Sequence, residues 1–234
     1  MTKTITTNTT TTQLSQRPEP SPLPYALPGR NCPHCPRLVA FREKNRVNWP
    51  EWYNAPVDSF GSLDAALLIV GLAPGLRGAN RTSRPFTGDH AGQLLYPTLL
   101  HFGLATGHYA ESPGDGLSVV NCRVTNAVRC VPPQNKPVGA EINACRDFLT
   151  AEIASMPNLR IILALGTVSH ASILRTASLR QKDWKFRHGA FHELPNGLVL
   201  ANSYHCSRYN TNTGRLTEAM FHDVFAGIIN HVRA

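Results

Sequence analysis

Acidic residues are scarce in this chain of 234 residues: 15 Asp+Glu face 23 Lys+Arg, for a formal net charge of +8. That imbalance disfavours cationic partners and points to a polyanion, most simply nucleic acid. Long apolar runs are missing too. No stretch of about 18 apolar residues exists, so no membrane span is expected. The N-terminus, MTKTITTNTTTTQLSQ, has no apolar core of the kind a secretory signal needs. This predicts a reducing, cytoplasmic setting, in which the six cysteines would not form a disulfide framework. No G-x-x-x-x-G-K-[ST] phosphate loop and no internal repeat is present. Apolar residues still make up 42% of the chain, enough for a core, and the length suits one domain.

Four of the cysteines carry a pattern. Cys32 and Cys35 form a C-x-x-C pair in NCPHCP, and Cys130 and Cys145 frame CVPPQNKPVGAEINAC. Four thiolates from two distant segments suit a tetrahedral zinc ion or a cubane iron–sulfur cluster, and spacing alone does not choose between them. A thioredoxin-type redox pair would sit at a strand–helix junction. Pro33 and Pro36 beside this pair suit a metal knuckle better. Either group would staple the N-terminal segment to a loop deep in the chain. Cys122 and Cys206 have no spacing partner.

Residues 1–20 are Thr-rich with little to bury and read as a disordered tail. Residues 21–60 are proline-rich and read as an irregular extension of a single domain spanning 21–234. Four apolar segments then read as strands: 65–71, 117–128, 160–166 and 197–205. Helical patterns fall at 91–105 (with Pro97 inside, predicting a kink or a later start), 139–156, 167–177 and 214–234. The alternation predicts a three-layer α/β/α sandwich around a central, mostly parallel four-stranded sheet. Ligands bind such sheets at the carboxyl ends of the strands. Those ends here read GLAPG, TNAVRC, LGTVSH and SYHCS.

GLAPG followed by NRTSRPFTGD, then TNAVRCVPPQNKP, then SYHCSRYNTNTGRLT, resembles the uracil-DNA glycosylase superfamily. Within it the chain is most similar to the iron–sulfur branches, and among those to family 5, over roughly residues 30–232. The resemblance implies a glycosylase-like fold and a monomeric DNA repair enzyme. Such an enzyme hydrolyses the N-glycosidic bond of uracil, and of hypoxanthine, xanthine or ethenocytosine, in DNA. It also favours a structural 4Fe–4S cluster on Cys32, Cys35, Cys130 and Cys145 over zinc.

The same resemblance assigns roles. Asp89 would be the catalytic carboxylate, with helix N-capping as its plain structural alternative. His205 would donate to the pyrimidine O2, where charge collects as the bond breaks. Asn126 would read the base edge and Phe86 would stack on it, over a floor made by Gly71, Leu72, Ala73 and Pro74. Ser207, Arg208, Asn212 and Arg215 would grip DNA phosphates, with Arg81, Arg84 and Lys136 as further contacts. Cys206 stands where the family's H-P-S motif has proline, which predicts a looser loop around His205. That substitution is the feature favouring an alternative reading, a damaged-DNA binding module with little turnover. A zinc-stapled hydrolase of small nucleotides is disfavoured by the basic loop at 208–215. No lysine is well placed for an abasic-site lyase.

Overall fold

The computed structural model describes residues 27–233; the Thr-rich stretch lies outside them. The elements in chain order are α1 (Pro36–Asn48), β1 (Leu67–Gly71), α2 (Ala79–Thr82), α3 (His90–His101), β2 (Ala105–Thr106), β3 (Ser118–Val119) and β4 (Cys122–Asn126). Then come α4 (Gly139–Ala154), β5 (Ile161–Leu165), α5 (Thr167–Thr176), β6 (Phe191–Glu193), β7 (Val199–Ser203), α6 (Arg208–Asn212) and α7 (Glu218–Arg233).

The sandwich is as predicted, but its sheet has five strands rather than four, in the order β4-β1-β5-β7-β6. The first four are parallel, and β6 runs antiparallel on the edge beside β7. The added strand is three residues, FHE, with no apolar run to announce it. The segment at 117–128 also divides. Ser118–Val119 pairs with Ala105–Thr106 in a small hairpin, and only Cys122–Asn126 joins the main sheet.

Side chains of a strand alternate between faces, so the continuous apolar strands feed two cores. Leu67, Ile69, Val124, Ile161 and Leu163 meet α3 and α7 through Leu95, Leu99, Phe221, Phe225 and Ile228. Leu68, Val70, Ile162 and Ala164 meet Leu149 of α4 and Ile173 and Leu174 of α5. Each fully buried Leu, Ile or Phe contributes about 1.5–3 kcal/mol of transfer free energy.

Two helices differ from expectation. The extension is not irregular throughout: α1 is a 13-residue helix opened by Pro36, whose fixed φ suits the first helical position. Its buried stripe is Leu38, Arg42 and Asn45, and two polar members hid the helical spacing. Pro97 does not end α3. Pro97 and Gln93, the residue whose carbonyl it frees, are both exposed, so that oxygen is open to solvent rather than stranded in the core.

A buried ion-pair network braces β4 against α4. Glu152 is fully buried and accepts from Arg123 Nε at 2.6 Å and from the Arg129 guanidinium. Arg129 also donates to Ser59 Oγ at 2.7 Å, and Ser59 to Thr125 Oγ1 at 2.9 Å. The two guanidinium groups outweigh the desolvation that opposes ionisation, so the Glu152 carboxyl sits below its ordinary pKa. Removing one member strands buried charge. Glu152→Ala is therefore expected to cost about 3–5 kcal/mol in chemical denaturation; a loss under 1 kcal/mol would show that the network is not braced as described.

Candidate active site

The parallel register places Gly71, the last residue of β1, opposite Asn126, the last of β4. Pairing continues past the strand ends: Ala127 N–H donates to Gly71 O at 2.9 Å and Val128 N–H to Leu72 O at 3.0 Å. The turn Leu72–Gly75 is thus fixed on one side by the β4 exit. A cavity of about 600 Å³ opens at this carboxyl edge of the sheet. Leu72, Ala73, Gly75, Asp89, Gly166, His205 and Arg215 are among the residues that line it.

Gly71 has little freedom to be anything else. A Cβ there would collide with the Phe86 ring and with Asn126 Oδ1, so the predicted stacking ring and base-reading amide flank one glycine. Both side chains are nearly buried, and they stand behind the turn rather than on the open cavity lining. Gly71 and Pro74 likewise stay off that lining, while Leu72 and Ala73 form part of it. Phe86 adopts φ +56, a conformation non-glycine residues rarely take. Tyr109 Oη donates to its carbonyl at 3.2 Å and Tyr96 Oη to that of Pro85 at 2.5 Å. Two tyrosines therefore hold a strained turn.

Asp89 caps α3: its carboxylate accepts from Ala91 N at 3.1 Å. It also lines the cavity. The turn after β1 wraps it closely, since a Cβ on Gly75 would lie 3.0 Å from Asp89 Oδ2 and one on Gly78 closer still. Burial raises its pKa above the ordinary carboxylate value, while N–H groups of Gly92 and Ala91 oppose the rise.

His205 follows β7. Its ring lies 6.0 Å from Phe86 with the planes 29° apart, and its Nδ1 is buried without a hydrogen-bond partner. Burial pushes its pKa down to about 4, so the imidazole is neutral at physiological pH. A neutral ring with a buried, unpaired nitrogen can exchange a hydrogen bond with a ligand without adding charge.

Its loop is not loose. Asn210 Nδ2 donates to His205 O at 2.8 Å, supplying an anchor that the absent proline was expected to provide. Cys206 is completely buried in the core, and burial drives its thiol well above the ordinary value, leaving it inert as a nucleophile. His90 Nε2 meets Thr211 Oγ1 at 2.8 Å, tying α3 to α6.

The predicted phosphate contacts divide. Ser207 caps α6, and Ser207 and Arg208 line the cavity. Arg215 also lines it and covers the Tyr204 ring at 4.6 Å. Asn212, Arg81 and Lys136 are exposed. Arg84 is a correction: it is buried, donating to Asp115 at 2.8 and 2.7 Å and to Thr87 at 2.7 Å. Its charge is consumed within the fold, holding Asp115 well below the usual carboxylate range. Tyr204 and Asn135 were not foreseen at this cavity, while Asn210, from the loop expected to grip phosphates, does line it. Position beside His205 was the available signal for Tyr204; Asn135 sits in the β4–α4 connection, whose folding no spacing reveals.

Cys32, Cys35, Cys130 and Cys145 line a second cavity, enclosed by α1, the β4 exit and α4. Cys145 lies midway along α4, not at its start. Arg129 N–H donates to Cys145 Sγ at 3.3 Å, and Arg42, beside Cys130, donates to Cys32 O at 3.2 Å. Among the described residues no three His, Cys, Asp or Glu side chains lie close enough to hold a single metal ion. A zinc ion draws its ligands to one point, about 2.3 Å from each sulfur. Four thiols lining one cavity are a donor set that either a zinc ion or a four-iron cluster can use. Cys122, the other unassigned cysteine, is buried in the main core.

A family model of the uracil DNA glycosylase superfamily matches residues 59–228. The chain belongs to that superfamily. Membership makes it a hydrolase acting on N-glycosyl bonds. It is 45% identical to a type-5 uracil-DNA glycosylase of Thermus thermophilus, over 82% of this chain and 90% of that protein. It is 41% identical to one of Mycobacterium leprae, over 83% and 88% of the two chains. With one of Pyrobaculum aerophilum it shares 38% identity, over 80% and 83%.

The depressed pKa of His205 has a consequence for stability. Unfolding restores a pKa near 6.5, so between about pH 6.5 and 4 the unfolded chain binds the extra proton. Stability is full above that window and falls as pH drops through it. His205→Gln should flatten the fall in thermal midpoint from pH 7 to pH 4.5; an unchanged slope would mean that the ring is not held neutral.

Proposed function

We propose that this glycosylase removes uracil from DNA by hydrolysis, leaving an abasic site, and that it accepts hypoxanthine, xanthine or ethenocytosine as well. One observation carries the reading: Asp89, the unpaired His205 ring, Phe86 and Asn126 converge around the turn after β1. A base in duplex DNA must leave the stack to be reached. The base passes the turn Leu72–Gly75 to reach the two side chains behind it, where Phe86 stacks on it and Asn126 reads its O4 and N3–H.

The C1′–N1 bond breaks with its electron pair passing to the base. Neutral His205 donates a hydrogen bond to O2, where that charge gathers. Asp89 offsets the positive charge on the sugar and holds a water, whose oxygen bonds to C1′ and whose proton passes to the carboxylate and on to solvent. Leu72 and Ala73 add no acid to this wall, which leaves room for bases other than uracil. Ser207, Arg208 and Arg215 hold the flanking phosphates, with Asn212, Arg81 and Lys136 further out. The chain acts as a monomer and a single domain.

A 4Fe–4S cluster on the four cysteines is part of the same proposal. When bound, it supplies a cross-link between the extension and the β4–α4 connection and keeps the thiolates ionised; it takes no part in bond cleavage. Protein purified without oxygen should be yellow-brown, and Cys130→Ser should lose that colour and melt at lower temperature. A colourless protein holding one equivalent of zinc would overturn the assignment.

Base release from duplex oligonucleotides carrying one uracil, hypoxanthine or ethenocytosine tests the activity. Asp89→Asn separates the two roles of Asp89, since Asn caps a helix about as well as Asp. It should leave the thermal midpoint nearly unchanged and lower single-turnover release at least a hundredfold. Asp89→Ala should lose the rate and about 1 kcal/mol of stability. Wild-type release retained in Asp89→Asn would reduce Asp89 to a cap. No release from any of the three bases by folded wild type would favour a damaged-DNA binding module.

A further inference from the structure

We propose that the N-terminal extension carries a second DNA contact, an aromatic and basic ridge that takes the strand leaving the flipped nucleotide. The proposal rests on the glycosylase reading above. The ridge is built on Trp49 and Trp52, whose rings are 4.5 Å apart and 7° from parallel. Neither indole is fully buried, and neither belongs to a core cluster. Beside them Arg30 covers the Tyr53 ring at 5.3 Å and donates to Tyr53 O at 3.1 Å. Indole rings and guanidinium planes are the groups on which unstacked bases settle, whatever their sequence.

The ridge is rigid before any DNA arrives. Arg46 donates to Arg30 O, Asn31 Oδ1 and Asn54 O, each within 3.0 Å, and so binds the turn before α1 to the segment after it. Asn54 Nδ2 in turn donates to Trp49 O at 2.7 Å. A surface ordered in advance loses little entropy on binding.

It is also continuous with the active site. Tyr53 N–H donates to Arg81 O at 3.2 Å, and Arg81 Nε donates to Arg77 O at 2.9 Å. A Cβ on Gly88 would lie 2.9 Å from the Arg81 guanidinium, and Gly88 directly precedes Asp89. A chain of contacts therefore runs from Asp89 at the cavity to Tyr53, the residue after Trp52. Along it Arg30, Arg77 and Arg81 are exposed, and no ion pair engages any of them among the described residues. Glu51 and Asp58 are the exposed acids of the stretch between α1 and β1 nearest these rings, so the balance still favours a polyanion. A half-buried aromatic pair beside arginines outside any ion pair suits a DNA strand better than an apolar protein partner.

The chain has three tryptophans, and the third, Trp184, packs against the core under α5. Trp184→Phe leaves Trp49 and Trp52 as the reporters. Their fluorescence should be quenched saturably by a uracil-containing duplex and by the same duplex without uracil. Trp52→Ala should raise KM for the uracil duplex about tenfold at unchanged kcat, a loss within the range of one stacked base. Arg30→Gln, an exposed change that spares the fold, should make log affinity less steep against log salt by about 0.9, the signature of one lost phosphate contact. Unquenched indoles, or wild-type KM and salt slope in both variants, would overturn the ridge. Quenching and salt slope need no turnover, so a wild type that releases no base would sink the glycosylase reading while these two still decide the ridge.

Discussion

The backbone pairing that runs on past the ends of β1 and β4 is the constraint on which the site depends. Gly71 and Leu72 accept from Ala127 and Val128, so the turn after β1 and the exit of β4 leave the sheet as one ribbon. Asn126 sits at the start of that ribbon and Cys130 four residues along. The turn on the other side meets Asp89 through Gly75 and Gly78. A shift of this ribbon would move the amide, the carboxylate and one cysteine together. Parallel strands buried on both faces resist such a shift, because a slip would exchange their two apolar faces.

The second cavity is tied to the same ribbon by charge as well as by sulfur. Arg129 gives its N–H to Cys145 and its guanidinium to Glu152, while Glu152 also holds Arg123 of β4. One buried arginine thus links α4, the cysteine cavity and the strand that presents Asn126. From the other side Arg37 of α1 donates to Glu141 at 2.7 and 2.8 Å, and Glu141 accepts from Val138 N at 2.9 Å. This pair joins the extension to α4 beside the cysteine cavity.

Strand ends were legible in the sequence because buried parallel strands are written as continuous apolar runs closed by glycine or a polar residue. The candidate site was legible for the same reason: its groups sit at those ends. What could not be read was polar burial. Helix α1 turns Arg42 and Asn45 inward, against the rule that an amphipathic stripe is apolar. In the sequence Arg84 reads as a phosphate contact alongside Arg81. Its partner, Asp115, lies 31 residues away, and only the fold brings them together. The edge strand β6 carries no pattern because half-exposed edge strands need none.

Cys206 stands where the resemblance expects proline, and other contacts hold the segment. Proline would restrict the backbone beside His205 by fixing φ. Here the same chain segment is held by burial of the thiol on one side and by the amide of Asn210 on the carbonyl of His205 on the other. Neither restraint is covalent; one acts at His205 itself and the other at the residue after it. His90 adds a third, since its contact with Thr211 joins the first turn of α3, capped by Asp89, to the helix after His205. The two groups with the most perturbed protonation at the cavity are thereby placed by one connected set of contacts. A substitution at Asn210 or Thr211 would disturb the carboxylate and the imidazole in concert, although neither residue bears chemistry of its own.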